Sequence, residues 1–76
     1  MNKAVYRFLI ENPIFWRKDL IRHLVLQGYG VWLAVYWIKK LRSQGILEKV
    51  SKGIYKVDTR LLKQKYPYME EVIKIG

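Results

Sequence analysis

Residues 31–45 read VWLAVYWIKKLRSQG, and the periodicity of this stretch sets how the rest of the chain is read. At about 100° per residue, Ala34, Ile38 and Leu41 share one side of a helix, with Val31 and Trp37 flanking them. That side is a core stripe. Trp32, Tyr36, Lys39, Lys40 and Ser43 share the opposite side. Gly45 ends the helix, because the residue just past a helix end often takes the left-handed conformation, which costs glycine nothing. Lys39, Lys40 and Arg42 fall in the last two turns, where cations favour the negative end of the helix dipole. That structural use accounts for the cations but not for Trp32 and Tyr36. An outward side that joins aromatic rings to cations is more than a surface helix requires.

The rest of the chain is short and basic. Its 76 residues fit one small domain, which buries a limited fraction of its surface and is marginal unless packed well or paired. Hydrophobic content of 51%, with 14% aromatic, is ample for a core and argues against disorder. It is also more apolar surface than a small monomer easily hides, which points to a dimer. The net charge of +9, from 15 basic and 6 acidic residues, favours a polyanion. The charge is uneven. Residues 38–66 hold Lys39, Lys40, Arg42, Lys49, Lys52, Lys56, Arg60, Lys63 and Lys65 against only Glu48 and Asp58.

Several classes of function are set aside at this stage. With no cysteine, disulfides and thiolate metal sites are excluded, and a reducing cytoplasm fits. The N-terminus lacks the long apolar run and small-residue cleavage site of a signal peptide. The most apolar window, residues 28–38, is too short to span a bilayer. His23 is the only histidine, no paired carboxylates stand at metal spacing, and Gly28-x-Gly30 does not continue into a phosphate-cradling pattern. No nucleophile has a base near it in sequence. The expectation is a protein that is not an enzyme and uses no cofactor, metal, membrane or small-molecule ligand.

Along the chain, Asn2 can cap a first helix from Lys3 to Glu11. Its inner face holds Ala4, Val5, Phe8 and Leu9, with Lys3, Arg7 and Glu11 facing water. Asn12-Pro13 ends it, since a residue before proline avoids helical geometry. Ile14-Phe15-Trp16 reads as a short apolar link. A second helix, about Arg17 to Gln27, turns Leu20, Ile21, Leu24 and Val25 inward and Arg17, Lys18 and Arg22 outward. Gln27 to Gly30 is a turn. After Gly45, residues 46–50 and 54–57 read as strands joined by Ser51-Lys52-Gly53, with glycine where a hairpin bulge requires it. An isolated hairpin is marginal, so this one leans on the helices through Ile46, Tyr55 and Val57. Asp58 can cap a further helix from Thr59 to about Tyr66, Pro67 breaks it, and residues 68–75 form one last turn or short helix. Trp16, Tyr66 and Tyr68 are expected in core or dimer packing.

The order helix, helix, turn, helix, glycine, hairpin resembles the winged helix-turn-helix family. The resemblance covers about residues 3–57 and is carried most specifically by Ala34 and by Ile38-Lys39-Lys40-Leu41-Arg42-Ser43-Gln44-Gly45-Ile46-Leu47-Glu48-Lys49-Val50 with Gly53-Ile54-Tyr55-Lys56-Val57. It implies an α+β, mostly helical domain: three helices, a two-stranded wing, and an added C-terminal helix within 58–76 that serves dimerisation. It further implies a recognition helix, about 31–44, in the major groove, and a wing over 46–57 with Lys49, Lys52 and Lys56 against phosphate. The gap from Leu20 to Ala34 is longer than in the compact form of the motif. Trp32, Leu33 and Tyr36 stand where base edges are usually read by bidentate Arg, Asn or Gln. The mechanism this leaves is phosphate attraction plus apolar contact with thymine methyls, or stacking.

The expected function is binding of double-stranded DNA by a homodimeric transcriptional regulator, cytoplasmic, of a small prokaryotic, archaeal or viral kind (then in the host cytoplasm). The expected contacts are Trp32, Leu33, Tyr36, Lys39, Lys40, Ser43, Lys49, Lys52 and Lys56, with Arg17 and Lys18 from the second helix. Two alternatives stay open: a winged-helix protein-interaction module that uses the Trp32 and Tyr36 face, and a non-specific nucleic-acid binder acting on RNA.

Overall fold

The computed structural model describes residues 1–75; residue 76, the last of the C-terminal extension, lies outside them. The described chain is an α+β unit of five helices and one three-stranded antiparallel sheet. The helices are α1 (Lys3–Glu11), α2 (Arg17–Leu26), α3 (Val31–Ser43), α4 (Thr59–Lys65) and α5 (Met69–Ile75). The strands are β1 (Ile14–Trp16), β2 (Leu47–Ser51) and β3 (Ile54–Val57), in the order β1-β3-β2.

Local chemistry sets most of these boundaries. The Asn2 side chain accepts from the Ala4 and Val5 amides, and Asp58 accepts from Leu61, so two helix starts are capped as their residue types predict. At the end of α3, the Gly45 amide bonds the Arg42 carbonyl and the Ile46 amide bonds the Leu41 carbonyl. Gly45 sits at φ +77°, and Leu41 and Ile46 are both buried. This is the paired arrangement by which a glycine closes a helix and satisfies its orphan carbonyls. It also turns the chain from α3 directly into β2.

Ile14-Phe15-Trp16 is a strand, not a link. Ile14, Phe15 and Trp16 pair with Lys56, Tyr55 and Ile54. The expected two-stranded wing is therefore part of a three-stranded sheet. The alternation of a strand turns Phe15, Tyr55, Leu47 and Val57 into the core and leaves Ile14 and Lys56 outward. Phe15 stacks on Tyr55 at 5.8 Å and meets Phe8 edge-on at 5.5 Å, which ties the sheet to α1. Between Lys49 and Ser51 the register shifts by a bulge at the foot of the hairpin.

The C-terminal segment is not an appendage. Leu62 and Met69 are as buried as any residue in the core. The Tyr66 hydroxyl donates to Gln44 Oε1 at 3.0 Å, and Arg7 reaches the Ile73 carbonyl. The inner face of this segment packs on the rest of the described chain, and it forms two helices, close to the pair read from the residues at 59–66 and 68–75, where the resemblance implied one. Several side chains also lie elsewhere than expected. Val31 and Val25 are exposed, and Trp16 and Tyr68, expected in core or dimer packing, lie outside the core of this chain; Trp37 is buried, as its place beside the core stripe predicts.

Tyr6 was assigned no role by periodicity, yet it is fully buried. Burial, the hydrogen bond it donates to Glu70 Oε1 (3.1 Å) and that carboxylate's charge push its pKa up to about 12. The unfolded phenol ionises near pH 10, so the fold holds this proton more tightly than the unfolded chain does. The resulting contribution to stability is complete below pH 10 and is lost as the pH rises from 10 to 12. Denaturant melts of the parent and Tyr6→Phe across this range should show the parent losing stability faster. Parallel decline of the two would contradict this account.

Candidate nucleic-acid interface

The exposed side of α3 is a strip of rings and cations. Trp32 and Tyr36 are 67% and 49% exposed, and Lys39 and Lys40 are exposed beyond them. Lys40 is held by the aromatics. Its Nζ lies 3.4 Å from the Tyr36 hydroxyl, 5.7 Å from that ring's centre and 5.4 Å from that of Trp37, within the range of a cation–π contact. Trp37 in turn meets Tyr66 edge-on at 6.1 Å. The lysine is thus positioned by the same layer that seats α4 against α3.

Two expected contacts change role. Leu33 is 7% exposed and belongs to the core, because its helical position falls on the same side as Ala34 and Trp37. The Ser43 hydroxyl donates to the Lys40 carbonyl at 2.6 Å. Its proton helps satisfy the helix end, while the side chain stays exposed.

A second basic cluster forms from residues far apart along the chain. The Arg17 amide donates to the Gly53 carbonyl at 2.8 Å, so the start of α2 is fastened to the hairpin turn. This brings Arg17 and Lys18, expected contacts on a separate helix, beside Lys52. Trp16 lies against the same turn, with a Cβ at Gly53 only 3.8 Å from its ring. Lys18 Nζ stands 5.3 Å over that ring. Trp16 was expected in core or dimer packing; its 47% exposure and this cation make it a candidate contact. Three residues are too few for a period to have shown this. Lys49 and Lys56 are exposed on β2 and β3, with Lys56 paired across the sheet from Glu48.

Among the described residues the one ion pair is Lys63–Glu70, at 3.8 Å. The lysines of α3 and of the hairpin therefore have no internal carboxylate partner in ion-pair contact. His23 is half-buried, packed on Phe8 at 5.2 Å and 2.8 Å from the Gln27 side chain. A polar cleft of about 380 Å³ opens between the hairpin and the start of α4, where Glu48 and Asp58 offset Lys56 and Arg60. Among the described residues no three His, Cys, Asp or Glu side chains gather as metal ligands, and no helix is long and apolar enough to cross a membrane. No family model, curated protein or solved structure matches the chain.

Proposed function

We propose that the chain is a winged helix-turn-helix protein that binds double-stranded DNA as a homodimeric transcriptional regulator. In this reading α3 lies in the major groove and the β2–β3 hairpin is the wing on the phosphate backbone. The order α1, α2, turn, α3, glycine-closed helix end, hairpin supports the fold assignment. One observation carries the function: Lys39, Lys40, Lys49, Lys52 and Lys56 are exposed on α3 and the hairpin without an ion-pair partner among the described residues, in a chain of net charge +9.

Bound phosphates release counterions, so log affinity falls with log salt by about 0.9 for each phosphate neutralised. A mobility-shift titration on random duplex DNA from 50 to 300 mM salt is expected to give a slope of about −4 to −6 on this basis. Affinity no better than millimolar at the lowest salt would overturn the proposal. Sedimentation of the same sample tests the dimer.

A second reading has its own support. No Asp, Glu, Lys or Arg occurs between Arg22 and Lys39, and Leu26, Tyr29, Val31, Trp32, Val35 and Tyr36 are all exposed within that span. Large exposed apolar patches mark interaction sites of some kind. In this second reading the span docks a protein, and Trp32→Ala with Tyr36→Ala lowers the mass of the complex while leaving DNA affinity unchanged.

A further inference from the structure

The N-terminal half of α3 presents hydrocarbon rather than hydrogen-bonding groups. Its exposed side chains are Val31, Trp32, Val35 and Tyr36, whose only side-chain polar atoms are the indole Nε1 and the phenol oxygen. A Cβ at Gly30 would stand 2.5 Å from Trp32 Cδ1 and 2.6 Å from Nε1. The five-membered ring therefore lies close over Gly30, where a side chain would have to displace it, and Trp32 as a whole is 67% exposed. The Tyr36 oxygen accepts from Lys40 Nζ at 3.4 Å, which leaves the phenol one outward donor.

Such a surface is mostly hydrocarbon and meets the donor–acceptor code of a base-pair edge with two donors at most. The apolar feature on the major-groove edge of DNA is the 5-methyl group of thymine. Lys39 lies on the same side of α3, about two turns beyond Trp32, and Lys40 one turn beyond Tyr36. A phosphate backbone drawn to those ammonium groups would bring the groove against the apolar half. We propose that α3 selects DNA through 5-methyl groups, so that thymine is preferred and 5-methylcytosine is accepted in its place. This rests on the DNA-binding reading above and adds the ligand chemistry to it. It also separates DNA from RNA, since uracil lacks the methyl.

The test uses the full chain and four duplexes of equal length: alternating A·T, the same with deoxyuridine for thymidine, alternating G·C, and the same with 5-methylcytosine. Each methyl buried is expected to raise affinity about fourfold. Thymine should then exceed deoxyuridine, and 5-methylcytosine should exceed cytosine, at unchanged salt slope. Trp32→Ala is expected to erase both preferences and keep the slope; its side chain is mostly solvent-exposed, so the variant folds, as circular dichroism will show. Gly30→Ala, which displaces the indole, is expected to reduce both preferences. Equal binding to methylated and unmethylated partners, with the salt slope intact, overturns this inference and leaves DNA binding standing. Absence of salt-dependent binding to all four removes both. A Trp32→Ala variant that changes solution mass but not the methyl preference assigns the face to a protein contact and overturns the inference as well.

Discussion

Truncation after Val57 is expected to abolish cooperative unfolding rather than trim a dimerisation arm. Residues 58–75 supply Leu62 and Met69, which are 0% and 1% exposed. Burying side chains of this kind is worth roughly 1.5–3 kcal/mol each. Their loss would also uncover apolar groups on the other side of the contact. Tyr6 would lose Glu70 as a partner, Gln44 would lose Tyr66, and the Ile46 carbonyl would lose the Asp58 amide that it binds at 2.8 Å. A domain of this size has a net stability of about 5–15 kcal/mol, and the combined losses take most of it. The milder variant Leu62→Ala is expected to cost about 2–5 kcal/mol, read as a lowered denaturant midpoint at unchanged slope. If residues 1–57 melt cooperatively near the parent's midpoint, the C-terminal helices are dispensable to the core and this view of the fold is wrong.

Replacing Lys39, Lys40, Lys49, Lys52 and Lys56 together with alanine is expected to cause the largest change in function. If each neutralises one phosphate, the log–log salt slope flattens by about 4 to 5, and affinity at 50 mM salt falls by orders of magnitude. Stability should change little, because these side chains are exposed and make no ion pair among the described residues, and surface substitutions of this kind usually fall within about 0.5 kcal/mol. Lys40 is the exception, since its contacts with Tyr36 and Trp37 are worth roughly 0.5–1 kcal/mol at an exposed site. The same titration on single variants would rank the contacts. A quintuple variant that keeps the parent's slope would place the anion site elsewhere on the chain.

The cationic surface was partly legible before the structure. Periodicity assigned Trp32, Tyr36, Lys39 and Lys40 to one side of α3, and they are exposed together. The family resemblance, not the period, made Leu33 a contact, and it is buried because a helix on a small core buries an arc wide enough to include the position beside Ala34. Periodicity could not foresee that the Ser43 proton would help close the helix end.

What the sequence determined alone is everything that depends on neighbours within a few residues. The caps at Asn2 and Asp58, the glycine-closed end of α3 and the extent of α1 follow from side chains reaching backbone groups close by. The tertiary structure decided the rest. Residues 14–16 are too short for any period to show, and they become a strand only because Tyr55, some forty positions on, offers its ladder. Tyr6 is buried because α5 arrives from the far end of the chain to cover it. The start of α2 meets the hairpin turn through a single Arg17–Gly53 hydrogen bond. Each of these joins groups distant in sequence, and the free energy that fixes them exists only once the core has assembled.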